Sequence, residues 1–252
     1  MSRFEKEYKA LLRSTIRKHE IKTNRTGVYT FYNFGQTLNI DLDLGFPILT
    51  SKKIFFDKAL AEYNWMMQGL TTTKYLNDHG VHWWDEYAIR GNLGKTYGYQ
   101  LRNFNGEFDQ MEHVHKELRM NSRRAHATFW NPTEINQTAL PHCITGITFS
   151  RSGNKLNMSM QLRSSDLFLG LPYDIIVAAM FLIETAKFND LKPKYLSMQL
   201  TDAHVYENHI SQVGLYCGRK MKKLPILYTD ENGLYKLMDY EHGPLIEAKM
   251  NN

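Results

Sequence analysis

The chain has 252 residues, 42% of them hydrophobic and 23% charged, with a net charge of +5 from 31 Lys+Arg against 26 Asp+Glu. This length can bury a full core without disulfides or a structural metal, and the composition excludes a disordered chain. Two cysteines, Cys143 and Cys217, exclude a disulfide scaffold and a cysteine-rich zinc site. The longest apolar run, Ile175 to Ile183, lies between Asp174 and Glu184, far short of the roughly 20 residues of a bilayer span. The charged start, Met1 to Lys6, has no signal-peptide core. One domain over residues 1–252 and a cytoplasmic location with reduced thiols are expected, with no membrane partner.

In chain order, Phe4, Tyr8, Leu11, Leu12 and Ile16 recur at helical spacing, so an amphipathic helix opens the chain. Arg25-Thr26-Gly27 is a turn. Val28 to Leu38, rich in β-branched and aromatic residues, predicts a strand. A helix is expected from Phe56 to Gln68, stopped by Gly69, then a short one from Thr73 to Gly80, and another around Met111, Val114 and Leu118. Ile147 and Phe149 alternate up to the turn Ser152-Gly153-Asn154, and Leu156, Met158, Met160 and Leu162 alternate after it, which predicts a hairpin with one buried face. Ile175 to Lys187 is apolar nearly all round, a core helix. Tyr195 to Leu200 is a further strand. The class is α+β, a mixed sheet covered by helices. The dense basic run Arg219-Lys220-Met221-Lys222-Lys223 is expected to be a solvated loop, so nucleic acid is not favoured as a partner.

Several short stretches carry chemistry. Cys143, in Leu140-Pro141-His142-Cys143, is a candidate nucleophile or a buried structural cysteine, and the tetrapeptide alone favours the second. Arg163-Ser164-Ser165-Asp166 runs into Leu169-Gly170-Leu171-Pro172-Tyr173-Asp174 at a strand-to-helix junction, which suits an anion or is merely a capped helix with an ion pair. Arg123 and Arg124 suit phosphate, or form a solvated face. Asp202-Ala203-His204-Val205-Tyr206 puts His204 and Tyr206 on one face, as a sugar contact or a satisfied polar pair. No histidine pair has a third ligand at metal-site spacing, so no metal is expected.

Joined in this order, with Arg25-Thr26-Gly27, Thr50-Ser51-Lys52, Glu62 before Trp65, Trp84-Asp85-Glu86, Tyr97-Gly98, Trp130-Asn131 and Asn208-His209, these stretches resemble the thymidylate synthase family from Arg25 to about Met250. The resemblance implies the thymidylate synthase fold and a homodimer with its interface through the sheet. It implies one-carbon transfer from the co-substrate 5,10-methylenetetrahydrofolate to C5 of a pyrimidine nucleotide. In the catalytic set, Cys143 would attack C6 as a thiolate, with Arg163 lowering its pKa. Glu62 would organise water and move protons, and Tyr97 and Asp174 complete that set. Arg25, Arg163 and Ser164 would hold the phosphate, with Arg123 and Arg124 reaching it across the dimer. His204 and Tyr206 would bind the ribose 3′-hydroxyl. Asp166 would hold the pterin and also belong to the substrate-binding set, with Trp84, Tyr87, Gly170, Tyr173, Met250 and Lys52 on the folate side.

Two residues depart from the family at the base site: Asp174 replaces an asparagine, and Ile144 a histidine after the cysteine. Uracil presents an N3–H donor and an O4 acceptor, which an amide matches. Cytosine presents N3 as acceptor and a 4-amino donor. A carboxylate accepts the amino proton and meets N3 only through a shared proton. An ionised carboxylate facing O4 would oppose two acceptors, a mismatch that discriminates by about 10⁴ or more. Asp174 and Ile144 therefore point to a cytosine nucleotide, taken as dCMP, although a protonated aspartate could still bind uracil. Such an aspartate resembles those of viral deoxycytidylate hydroxymethylases, and by that analogy the setting is a virus-infected cell. His82, Trp83 and Tyr87 also depart from the synthase pattern near the pterin, and the end, Met250-Asn251-Asn252, is more polar than the family's. A polar cap that admits water points to hydroxymethyl rather than methyl transfer. Left open are a methyltransferase making 5-methyl-dCMP, a thymidylate synthase, a CMP enzyme and a noncatalytic nucleic-acid-binding relative.

Overall fold

A computed structural model describes residues 3–18 and 20–251. Helix α1 (Arg3–Arg17) buries Phe4, Tyr8, Leu11 and Leu12 along one stripe, the face that helical spacing predicts. Strand β1 (Ile21–Lys22) leads through the Arg25 turn into β2 (Thr30–Asp41). Helices α2 (Phe56–Met67), α3 (Lys74–Asp78), α4 (Tyr97–Arg102) and α5 (Gln110–Arg119) follow. Then come β3 (His126–Thr128), β4 (Ile144–Ser152), β5 (Lys155–Asp166), α6 (Leu171–Phe188), β6 (Lys192–Tyr206) and α7 (Ile210–Gly218). A small hairpin, β7 (Ile226–Thr229) with β8 (Tyr235–Met238), precedes the C-terminal tail.

The main sheet has six strands in the order β1-β2-β6-β5-β4-β3. Every neighbouring pair is antiparallel except β5 and β6, which run parallel. Parallel neighbours need a crossover, and α6 supplies it. Its residues from Ile175 to Leu182 are all buried, so an all-round apolar helix pays no exposure penalty. On β5, Leu156, Met158, Met160 and Leu162 point into the core. Asn157, Ser159 and Gln161 alternate with them, half-buried on the opposite face. Tyr195, Gln199 and Thr201 of β6 are exposed. No described helix is long and apolar enough to cross a membrane.

The expected elements are present, with shifted limits. The strand expected at Tyr195–Leu200 runs from Lys192 to Tyr206. Asp202 and His204 are poor strand formers, yet β6 is a central strand with β2 on one side and β5 on the other, and the two ladders hold them extended. The β2 strand likewise continues through Asn39 to Asp41, which pairs with Tyr195. The short helix α4 carries no strong signal because Gly98 sits in its first turn. A Cβ there would lie 2.9 Å from the Leu70 carbonyl oxygen, so close packing on the Gly69–Leu70 backbone demands the glycine.

Glu5 anchors α1 to the chain that precedes α2. Its carboxylate is fully buried and accepts from the Thr50 amide at 3.0 Å, the Thr50 hydroxyl at 2.5 Å, the Ser51 amide at 2.8 Å and the Tyr216 hydroxyl at 2.8 Å. Removing the acceptor strands buried donors, which costs about 3 kcal/mol. Glu5→Ala is expected to lower Tm by roughly 6–12 °C in a chain of this size, read by circular dichroism.

Candidate active site

The parallel register of β5 and β6 builds the centre of the site. Ser164 lies opposite Asp202 and Asp166 opposite His204, so the ends of both strands open into one cavity of about 980 Å³. Arg163, Ser164 and Asp166 reach it from β5, and His204 and Tyr206 from β6. Helix α2 contributes Glu62, α4 contributes Tyr97, and the loop before β4 contributes Cys143. Tyr173 and Asp174 enter from the first turn of α6, next to Gly170. Arg25, Trp84, Tyr87 and Met250 complete the predicted residues on its wall.

Cys143 is held by its backbone. Its amide donates to the Tyr97 hydroxyl at 2.8 Å, and its carbonyl accepts from the Arg163 amide at 2.9 Å. The Arg163 side chain clamps the same loop. Its Nε donates to the His142 carbonyl at 2.8 Å and its Nη2 to the Pro141 carbonyl at 2.8 Å. Burial pushes the Cys143 thiol above the ordinary range. Arg163 and Arg25 pull it down, and Asp174 adds to the upward push. The lowering by Arg163 expected from the sequence is present, but desolvation outweighs it.

Two carboxyl groups face this centre. The Glu62 carboxylate is buried and accepts from Trp84 Nε1 at 2.7 Å and from Trp83 Nε1 at 3.4 Å, both on Oε1. Burial raises its pKa, and the two indoles oppose that. Asp174 is pushed up to about 8, first by burial, then by the charges of Glu62 and Asp166. A carboxylate in the first turn of an 18-residue helix gains from the helix dipole. Desolvation is the larger effect here. Asp166 accepts from the Phe168 amide at 2.8 Å and the Leu169 amide at 3.3 Å, which shapes the turn into α6.

On β6, Asp202 Oδ1 lies 3.0 Å from His204 Nδ1, and its Oδ2 accepts from Lys22 Nζ at 2.5 Å. A proton on Nδ1 leaves His204 Nε2 as an acceptor. Lys22 and Asp202 both line the cavity. Neither carried an assigned role in the sequence, and Lys22 has no motif. Only its pairing in β1 brings it there. Trp130 also lines the wall, with the Arg163 guanidinium 5.5 Å from its ring centre.

The tail closes one side. Ala248, Met250 and Asn251 line the cavity. The Asn251 and Asn208 side-chain amides exchange hydrogen bonds at 3.0 and 3.2 Å, and His209 Nε2 donates to the Lys249 carbonyl at 2.8 Å. The polar tail noted in the sequence is thus tied down by polar partners. Asn252 lies outside the described residues.

Three predicted residues are not on the cavity wall. Lys52 is buried, donates to the Phe168 carbonyl at 2.7 Å and sits 3.8 Å from the Phe168 ring centre, and burial lowers its amine to about 8. Arg123 and Arg124 are exposed on the turn between α5 and β3. The basic run at 219–223 is irregular, and Lys220, Lys222 and Lys223 are exposed. Arg219 instead donates to the Ser51 carbonyl at 3.2 Å and to the Pro244 carbonyl at 2.5 Å.

The wall combines the cations of Lys22, Arg25 and Arg163 with the aromatic rings of Trp83, Trp84, Tyr87 and Tyr173. The cations suit a phosphate and the aromatic rings suit a flat heterocycle. A sequence model of the family described as Thymidylate synthase matches residues 6–251. Members of that family use methylenetetrahydrofolate as co-substrate and are typically dimers. Fold, cavity and a match over nearly the whole length agree, and this chain belongs to the thymidylate synthase family, which carries out folate-dependent one-carbon transfer to a pyrimidine nucleotide.

Proposed function

We propose that this chain is a deoxycytidylate hydroxymethyltransferase, forming 5-hydroxymethyl-dCMP from dCMP. The observation that carries the reading is Asp174, a carboxyl group pushed up to about 8 on the wall that holds Cys143. At neutral pH it carries a proton. A neutral carboxyl matches either pyrimidine, since it has one donor and one acceptor. Only with cytosine can that proton pass to N3. The ring then presents two N–H donors to the resulting carboxylate, and these charge-assisted bonds are the stronger kind. Protonation at N3 also makes C6 more electrophilic. Ile144, buried, offers no side-chain donor that would favour O4 of uracil.

The remaining residues take roles that their positions support. Arg25, Arg163 and Ser164 hold the phosphate. His204 Nε2 and Tyr206 take the ribose 3′-hydroxyl, with Asp202 and Lys22 orienting the imidazole. The folate co-substrate supplies the one-carbon unit when bound, its pterin against Trp84, Tyr87 and Tyr173, beside Asp166, Gly170 and Met250. Lys52 lies behind the Phe168 turn that supports this end. Arg123 and Arg124 reach the phosphate of a partner subunit in a homodimer formed over the half-exposed sheet face.

Cys143 Sγ adds to C6, and the new C–S bond makes C5 nucleophilic. C5 bonds to the one-carbon unit, and the C5–H proton leaves to water held by Glu62. The bond from the one-carbon unit to the folate nitrogen breaks as that nitrogen takes the electron pair and a proton, so C5 carries an exocyclic methylene. Water adds to that carbon and gives a proton to Glu62. The electron pair passes to C5 and expels the Cys143 thiolate from C6, restoring the ring double bond. Atoms balance as dCMP, methylenetetrahydrofolate and water giving 5-hydroxymethyl-dCMP and tetrahydrofolate. No hydride moves, so no dihydrofolate forms.

The test is product mass. The protein is incubated with methylenetetrahydrofolate and equimolar dCMP, dUMP and CMP. A gain of CH₂O on dCMP alone is expected. A gain of CH₂ with dihydrofolate, or reaction of dUMP or CMP in preference, overturns the reading.

A further inference from the structure

Trp83 is the one indole near the pterin end that the family pattern does not call for, and its N–H has a specific target. We propose that Trp83, acting with Trp84, decides which of two facing carboxyl groups holds the shared proton, keeping Glu62 the anion and Asp174 the acid. This makes Trp83 a positioning residue for both base recognition and water addition, and it rests on the hydroxymethylation reading above.

The geometry is asymmetric between the two acids. Both indole N–H groups converge on one Glu62 oxygen, at 2.7 Å from Trp84 and 3.4 Å from Trp83. An indole is a donor only, so it favours a charged carboxylate over a protonated one. Among the described residues no hydrogen bond ends on the Asp174 carboxyl. The Trp83 ring is fixed by Tyr173, with centroids 5.2 Å apart, and Tyr173 adjoins Asp174 in the same helical turn. Trp84 is fixed by Trp65 at 5.8 Å and by Tyr97 at 6.0 Å. Trp65 sends its own N–H elsewhere, to the Thr72 carbonyl. The longer of the two bonds to Glu62 has room to tighten when ligands close the site.

Two like charges in a cavity exclude each other, and the group with more donors keeps its charge. Asp174 is faced by Glu62 from α2 and by Asp166 from β5, and both favour its neutral form. Its own charge opposes ionisation of Cys143 and Tyr97, while Arg163 and Arg25 favour the Cys143 thiolate. Glu62 is faced by the two indoles and in turn acts on Tyr173. A neutral Asp174 therefore does two things. It keeps the proton that cytosine N3 needs, and it removes a repulsion from Cys143. An ionised Glu62 is the form that accepts a proton from water.

The experiment is a carboxyl titration by ¹³C NMR on the full-length protein without nucleotide, so it stands apart from the product assay. In the wild type at pH 7, Glu62 should be ionised and Asp174 protonated. In Trp83→Phe, which keeps the ring against Tyr173 and loses the N–H, Glu62 should titrate about one pH unit higher. Asp174 should titrate lower, because a protonated Glu62 no longer opposes it. The bell-shaped pH profile of kcat/KM for dCMP should narrow from both sides. Wild-type Asp174 ionised below pH 6, or Trp83→Phe with both titrations unmoved, overturns the assignment. Should Trp83→Phe fail to fold, Trp83→Leu, which also removes the N–H, is titrated in its place with the same deciding outcomes. If the assignment holds but the product is not hydroxymethylated, the proton placement stands and the proposed chemistry falls.

Discussion

Cys143→Ala is expected to lower kcat by about 10⁴-fold or more, because Cys143 is the proposed nucleophile toward C6 and no other thiol lines the cavity among the described residues. Nucleotide affinity should change by less than about tenfold. In the proposed binding mode the phosphate contacts fall to Arg25, β5 and the arginines given across the homodimer, and the ribose contacts to β6, and none passes through sulfur. The Cys143 backbone bonds to Tyr97 and Arg163 do not involve the side chain and should survive in the variant. Intact-mass measurement after rapid denaturation should show a nucleotide adduct in the wild type and none in the variant. A variant that keeps more than a tenth of wild-type turnover would remove Cys143 from the mechanism.

Asp174→Asn is expected to reverse the choice of base. An amide donates to O4 and accepts from N3–H of uracil. It has no acidic proton to pass to N3 of cytosine. The ratio of kcat/KM for dCMP over dUMP should fall by about 10³–10⁴-fold, measured by competition in one reaction. Unchanged preference for dCMP would show that the base is read elsewhere. The same substitution has a stability signature. Folded Asp174 titrates at about 8 against an ordinary 3.8. Between those values the folded state holds a proton that the unfolded chain has lost, so stability declines as pH rises, by up to about 1.4 kcal/mol per pH unit. The decline is absent below about pH 4 and complete above about pH 8. Asp174→Asn removes this contribution, so the variant's Tm relative to wild type should climb from pH 5 to pH 8 and then level off.

Much of the site was legible because its residues occur in short local runs. Arg163 to Asp166, Tyr173-Asp174 and His204 to Tyr206 each sit within one element or its end, where period and spacing fix which side chains share a face. The departures at Asp174 and Ile144 came from the family resemblance, and donor and acceptor chemistry turned them into the proposed preference for cytosine. Other features could not. Trp83 and Trp84 are consecutive, and in a strand they would point to opposite faces. They lie in a turn, and both indoles reach Glu62. Lys52 stands in a stretch that matches the family, yet its four-carbon stem leads the amine to the Phe168 carbonyl rather than to the cavity wall. Lys22 had no local signal, because its role depends on a two-residue strand whose pairing places it beside Asp202.

By itself the sequence determined the α+β class, the buried faces of α1, β5 and α6, and the identity of the groups able to do chemistry. These follow from side-chain type and from periodicities of a few residues. Only the tertiary structure decided that β5 and β6 are parallel neighbours, with Asp166 beside His204. It also decided that Asp174 and Glu62 share one cavity. Strand pairing is set by contacts between residues far apart in the chain. A pKa is set by how much water and how many charges surround a group, and no local pattern carries either quantity.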